Sequence, residues 1–190
     1  MGTSLIVLIG ILVLIAIYAI SLYNGLITAR NRTDEASSDI DTLLKRRHDL
    51  IPNLVETVKG YAKHESETLE RVIQARNSAV SAQGEGIAER ASKENALSGV
   101  LKSIFALSEA YPDLKANQNF MELQGELAAT EDKLQASRRF YNSMTLSYNN
   151  RIEMFPGSII AGMFAFAKRG FFELDAAEAE AAKKAPQVKF

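Results

Sequence analysis

No charged side chain occurs in the first 29 residues of this 190-residue chain, and Leu5 to Tyr23 is almost purely apolar. A helix built from those nineteen residues rises about 28 Å, close to the hydrocarbon thickness of a bilayer. A core helix of a soluble protein would show a polar stripe, and none interrupts this run. The first charge is Arg30, and a polar-faced helical sequence follows it. The chain thus divides into an anchor, residues 1–29, and a body that works at a membrane.

A cleaved signal peptide is the competing reading of the same stretch. Such a signal has a basic amino-terminal region, a shorter apolar run and a small-residue cleavage site. Here Met1-Gly2-Thr3-Ser4 has no Lys or Arg, and Ala19-Ile20-Ser21 is a weak site at best. Myristoylation at Gly2 wants Ser or Thr at position 6, where Ile6 stands. The segment reads as an uncleaved single-pass anchor in the plasma membrane. Arg30 and Arg32 follow it, then Lys45, Arg46 and Arg47, while the amino side has no basic side chain. That bias favours an outside amino terminus and a cytoplasmic body.

The remaining sequence is long enough for one domain with a sizeable core. Its composition is Ala, Leu, Glu, Lys, Arg and Gln without β-branched alternation, which marks an all-α class. The whole chain has 22 basic and 23 acidic residues, a balance that argues against a dedicated nucleic-acid binder. Cysteine is absent, so disulfides and thiolate metal sites are excluded, and either side of the membrane is open to the body.

Apolar spacing gives four helical segments. The first places Ile40, Leu43, Leu44, Ile51, Leu54, Val55 and Val58 on one stripe and ends near Gly60. Pro52 lies inside it, and because the stripe keeps phase, a kink is expected there, not a break. The second runs from about Glu65 to Gln83 with Leu69, Val72, Ile73, Ala79 and Val80 inward. Gly84-Glu85-Gly86 is expected to end it with a left-handed glycine. The third runs from about Ile87 to Ala110, closed by Tyr111-Pro112-Asp113. The fourth carries a heptad seam of Phe120, Leu123, Leu127, Thr130, Leu134, Ser137, Tyr141, Met144 and Tyr148. Packing within a bundle is the simpler use of that seam, and an intermolecular coiled coil is the other. Short connections favour antiparallel neighbours, so residues 30–153 are expected to form an up-and-down four-helix bundle.

After Asn150 the character changes. Phe155-Pro156-Gly157 signals a turn, and Ser158 to Ala167 is apolar and small, too short to cross a bilayer. Residues 154–173 either fold back over the bundle or lie on the membrane, with Lys168, Arg169, Phe171 and Phe172 as the candidate contacts. Residues 174–190 form an Ala/Glu-rich tail, expected to be flexible.

Few residue patterns in the chain carry chemistry. His48 and His64 are the two histidines; neither sits in a His-Glu-x-x-His or Glu-x-x-His pattern. No Gly-x-Ser-x-Gly elbow or phosphate-binding glycine loop occurs. No catalytic residue, metal site or cofactor is expected. The densest charged patch is Lys45-Arg46-Arg47-His48-Asp49, read as a solvated helix face or a docking surface near Pro52. Tyr141-Asn142 and Tyr148-Asn149 lie one heptad apart, which puts both asparagines on one flank, ready to bind backbone or a partner.

Several separate blocks of this sequence resemble the LemA family. They are Tyr23-Asn24-Gly25-Leu26-Ile27, the run from Leu44 through Lys45-Arg46-Arg47-His48-Asp49 to Pro52-Asn53-Leu54-Val55, Val58-Lys59-Gly60-Tyr61 and His64-Glu65. Tyr111-Pro112-Asp113-Leu114-Lys115-Ala116-Asn117, Arg138-Arg139-Phe140-Tyr141-Asn142, Phe155-Pro156-Gly157 and Phe171-Phe172-Glu173 complete them. The resemblance implies a bacterial membrane protein with one amino-terminal span and a helical bundle. It also implies no established enzymatic activity, and hence no catalytic residue to carry over. Relatives include a protein of magnetosome membranes, and family genes often neighbour membrane peptidases or other envelope proteins. The expected role is a non-enzymatic scaffold or adaptor acting by self-association or by docking an envelope partner. The alternative is a lipid-organising or membrane-remodelling protein that uses residues 158–172 at the bilayer surface.

Overall fold

The computed structural model describes residues 2–172, so the tail expected from position 174 onward lies outside the described residues. Helices α1 (Gly2–Tyr61), α2 (Ser66–Ser81), α3 (Ile87–Ser108), α4 (Pro112–Lys115), α5 (Gln118–Glu153) and α6 (Gly157–Met163) follow one another, with a 3-10 turn at Ala82–Gly84 between α2 and α3. No strand occurs among the described residues. α1 is continuous through Asn24-Gly25 and through Pro52, and within it lies the segment long and apolar enough to cross a membrane, with none of that window buried.

The described residues divide into two compact units: 2–39 with 139–170, and 40–138 with 171–172. In the first unit Leu26, Ala29, Tyr148, Ile152, Ile160 and Ala161 form a small core, with Ala19, Leu22, Tyr23 and Phe166 packed on it. Gly157 is required there, because a Cβ on it would stand 2.3 Å from the Arg151 carbonyl oxygen. α6 then ends with Ala165 in the left-handed region at φ 53°, and the Phe166 N–H reaches back to the Ala161 carbonyl at 2.9 Å. That is the helix ending glycine usually supplies, made here with alanine.

In the second unit one core draws on α1, α2, α3 and α5, with Leu114 of α4 added to it. Ile51, Leu54, Val55 and Val58 meet Leu69 and Val72, Leu97, Leu101 and Ile104, and Phe120 and Leu127. These are mostly the positions the apolar stripes select. Ile73 is the exception, 42 % exposed. The inward line of α2 runs 69, 72, 76, 79, and at position 76 an arginine takes the place of an apolar residue. The expected left-handed glycine after α2 is also absent: no glycine among the described residues has positive φ. The chain instead tightens into the 3-10 turn and leaves extended at Glu85 and Gly86.

Asn117 caps α5 in this unit by accepting the Phe120 N–H at 2.9 Å, satisfying a donor that the first turn leaves without a helical partner. Its amide nitrogen donates to the Tyr61 hydroxyl at 2.9 Å. Tyr111 donates to the Glu65 carboxylate at 3.2 Å, and Leu114 is fully buried. The sequence blocks around Tyr61, Glu65 and Tyr111–Asn117 are thus parts of one junction between helices.

Candidate functional site

The five-residue charged patch on α1 does not lie on one face. Its core positions run Ile40, Leu44, Ile51, Leu54, Val55 and Val58, and the same stripe passes through 47 and 48. Arg47 and His48 are accordingly buried, at 1 % and 2 % exposure, which corrects their reading as members of a docking surface. Lys45, Arg46 and Asp49 face solvent. Lys45 pairs with Asp49 at 2.9 Å, one turn along the helix, and this hydrogen bond holds the Asp49 carboxyl below its ordinary value. Arg46 reaches Glu126 at 3.4 Å.

Buried charges require partners, and Arg47 has them. Its guanidinium donates to the Ser98 hydroxyl at 2.8 Å, to the Glu131 carboxylate at 2.6 Å, and to the carboxylate and carbonyl of Glu94. Glu94, itself 2 % exposed, has its other oxygen 3.0 Å from His48 Nε2. That contact is close enough for charge attraction, although Nε2 lacks the alignment of a regular hydrogen bond. Burial pushes the Glu94 carboxyl up. The His48 contact and the charges of Arg47 and His48 outweigh that and hold it below its ordinary 4.5.

Pro52 accounts for a further link. It has no N–H, so the carbonyl four residues back, on His48, loses its helical donor. Arg76 of α2 supplies one, donating from Nε to the His48 carbonyl at 3.1 Å. The proline inside α1 and the arginine on the inward line of α2 are two halves of one arrangement.

Arg138 on α5 is also buried. It donates to the Asn95 side chain at 3.2 Å, and its guanidinium stacks over the Phe172 ring at 4.6 Å. Phe172 is fully buried, which corrects its reading as a membrane contact; Phe171 is exposed. Glu94, Glu131, Arg76 and Arg138 are the polar partners the sequence reading missed. Their signal was present, since polar residues occupy inward positions of α2, α3 and α5. Pairing them needs the tertiary fold, since Arg47 and Glu131 are 84 residues apart.

In the first unit residues 164–170 lie along α5 as a strap. Asn149 holds it with both ends of its amide: Nδ2 donates to the Arg169 carbonyl and Oδ1 accepts the Arg169 N–H, each at 2.9 Å. Tyr148 and Tyr141 donate to the carbonyls of Ala167 and Gly170, each at 3.0 Å. Burial raises the Tyr148 hydroxyl above its ordinary 10.0, against the pull of the Arg169 and Arg30 charges. Asn149 is therefore buried against backbone and is not a surface for a partner, whereas Asn142 is half-buried. Arg169 pairs with Asp34 at 2.7 Å, and Lys168 pairs with Glu153.

The seam of α5 is also taken up internally. Phe120, Leu127, Thr130, Leu134, Tyr141 and Tyr148 are buried in the single chain, while Leu123, Ser137 and Met144 of the same seam are half-buried. Among the described residues no group of three or more His, Asp or Glu is placed to hold a metal ion.

The model of the LemA family matches residues 36–190 of the sequence. Protein LemA of Metamycoplasma hominis is 31 % identical over 140 residues, 73 % of this chain and 63 % of that protein. Magnetosome protein MamQ 2 of Paramagnetospirillum magneticum is 22 % identical over 176 residues, 80 % of this chain and 64 % of that protein. Magnetosome protein MamQ of Magnetospirillum gryphiswaldense is 22 % identical over 174 residues, 79 % of this chain and 64 % of that protein. The chain thus spans a little under two thirds of the length of the curated relatives it matches. None of these names states a reaction.

Proposed function

The chain belongs to the LemA family, and on that footing we propose that it is a single-pass, membrane-anchored scaffold or adaptor of the bacterial cell envelope. Its body is an up-and-down four-helix bundle held on the cytoplasmic side, with the amino terminus outside. It acts without catalysis, by self-association or by docking an envelope protein such as a membrane peptidase. The observation that carries this reading is α1. One helix, Gly2–Tyr61, bears the uncharged apolar window and, farther along, the exposed Lys45, Arg46 and Asp49. Arg47 and His48 of that patch are turned inward, buried and engaged with Glu94 and Glu131. What remains outward is a face suited to docking.

Mass measurement of the full chain in mild detergent tests the proposal. The expected result is a multiple of the 20.9 kDa protomer or a co-purifying envelope protein, weakened by Lys45→Glu with Arg46→Glu. A strict monomer that retains no partner contradicts it. Protease accessibility of the body in intact cells and in inverted vesicles tests the sidedness, with cleavage expected only in the vesicles.

A further inference from the structure

The first unit presents an apolar surface that its own folding does not use. From Met154 to Ala167 the sequence has no charge, yet only Gly157, Ile160 and Ala161 of that run are buried. Phe155 is 80 % exposed and Met163 72 %, with Met154, Ile159 and Phe164 exposed between and beside them. The tip of the α5–α6 turn and the outer side of α6 thus form one tract of large apolar side chains. An exposed cluster of this kind marks a contact surface.

The place of the tract identifies what it contacts. Its inner side packs on Leu26 and Ala29, with Ala19, Leu22 and Tyr23 alongside, and the Phe164 ring lies 4.7 Å from that of Tyr23. A cleft between Ser21, Leu22, Gly25 and Leu26 and the Met154–Gly157 turn belongs to the same contact. These α1 residues are the carboxyl end of the uncharged run. The tract is therefore continuous with the exposed apolar surface of the span. Charges gather just beyond it: Arg30 stands over the Phe166 ring at 5.5 Å, and Lys168 pairs with Glu153.

We propose that residues 154–164 are a second membrane contact, seated in the interfacial layer of the leaflet where the span ends. Met154, Phe155, Ile159, Met163 and Phe164 lie among the upper acyl chains, and Arg30 and Lys168 stand at headgroup level. α6 is seven residues long, about 10 Å of helix, so it lies in the interface and does not cross the bilayer. The bilayer is favoured over a protein partner because the tract adjoins the span and carries no charge or hydrogen-bonding side chain beyond Ser158. The proposal rests on α1 being a membrane span. Its consequence is that α1 is held by one chosen face: a lone span turns freely about its axis, whereas a lateral contact in the interface selects one rotation.

Tryptophan is absent from the sequence, so single substitutions give clean depth reporters. The full chain is reconstituted into phosphatidylcholine/phosphatidylglycerol vesicles containing lipid brominated either near the glycerol or near the bilayer centre. Phe155→Trp and Met163→Trp report on the tract, Leu14→Trp on the span and Ile73→Trp on exposed α2. At either tract position we expect blue-shifted emission quenched at least twofold by the shallow bromines and less by the deep ones. Leu14→Trp follows the deep bromines, and Ile73→Trp is quenched by neither. If Leu14→Trp is quenched while both tract positions emit like Ile73→Trp, the span stands and the second contact is overturned. If Leu14→Trp is also unquenched, the span reading fails and the second contact with it.

Discussion

Two polar clusters, one in each unit, solve the same problem by different means. Around Arg47 the second unit buries full charges, linking a guanidinium to Glu94, Glu131 and Ser98. Around Asn149 the first unit uses a neutral amide that pairs both ways with the backbone of Arg169. The charged cluster draws together α1, α3 and α5, whereas the amide fixes one extended strap to one helix. Removing one partner from a buried ion pair leaves an uncompensated charge. Removing a neutral amide leaves only unsatisfied hydrogen bonds. The difference teaches that sequence motifs of similar polarity carry very different energetic weight.

The largest expected effect follows from that contrast. Arg47→Ala strands the buried Glu94 carboxylate and should cost about 3–5 kcal/mol, read as a shift of the urea unfolding midpoint in mild detergent. Next in size is the Pro52–Arg76 arrangement. Arg76→Ala leaves the His48 carbonyl without a donor and should cost about 1–3 kcal/mol. In a Pro52→Ala background the helix supplies its own N–H, and the same change should cost clearly less. Equal costs in the two backgrounds would dissociate the proline from the arginine.

On the other side of the comparison, Asn149→Ala should cost about 1–2 kcal/mol. Faster amide exchange at Arg169 should accompany it, while the second unit keeps its stability. The two clusters should also part company with pH. The Glu94 carboxyl lies below its ordinary 4.5 in the folded chain, so its contribution is complete above that value and is lost as the pH falls beneath it. The stability gap between the native chain and Glu94→Gln should therefore narrow below that pH, while the gap to Asn149→Ala stays level. A constant Glu94→Gln gap down to strong acid would break the distinction.

Much of this was legible in the sequence, and what was not has physical causes. The long apolar amino-terminal helix, the helical class and most core positions follow from charge and apolar spacing. The inward turn of Arg47 and His48 was also written there, in the phase of Leu44, Ile51 and Val55. Counting charges in a run obscures that phase. Ala165 was illegible for the opposite reason, because the left-handed ending of α6 is usually announced by glycine, and none stands there. The donors that complete the clusters, Arg76 above all, lie on other helices, and no local pattern links them to Pro52. The strap's grip by Asn149 was half legible: the flank was evident, but its backbone partner was not.

Arg47 and Glu94 on this account hold the second unit together as one buried, mutually dependent charge pair. A double-mutant cycle on Arg47 and Glu94 tests it most directly, using Arg47→Met, Glu94→Leu and their combination, with unfolding followed in mild detergent. The account predicts that each single variant is strongly destabilised and that the pair is more stable than the sum of the two losses implies, by about 2 kcal/mol or more. Single variants that unfold at the native midpoint, with no coupling between the sites, would contradict it.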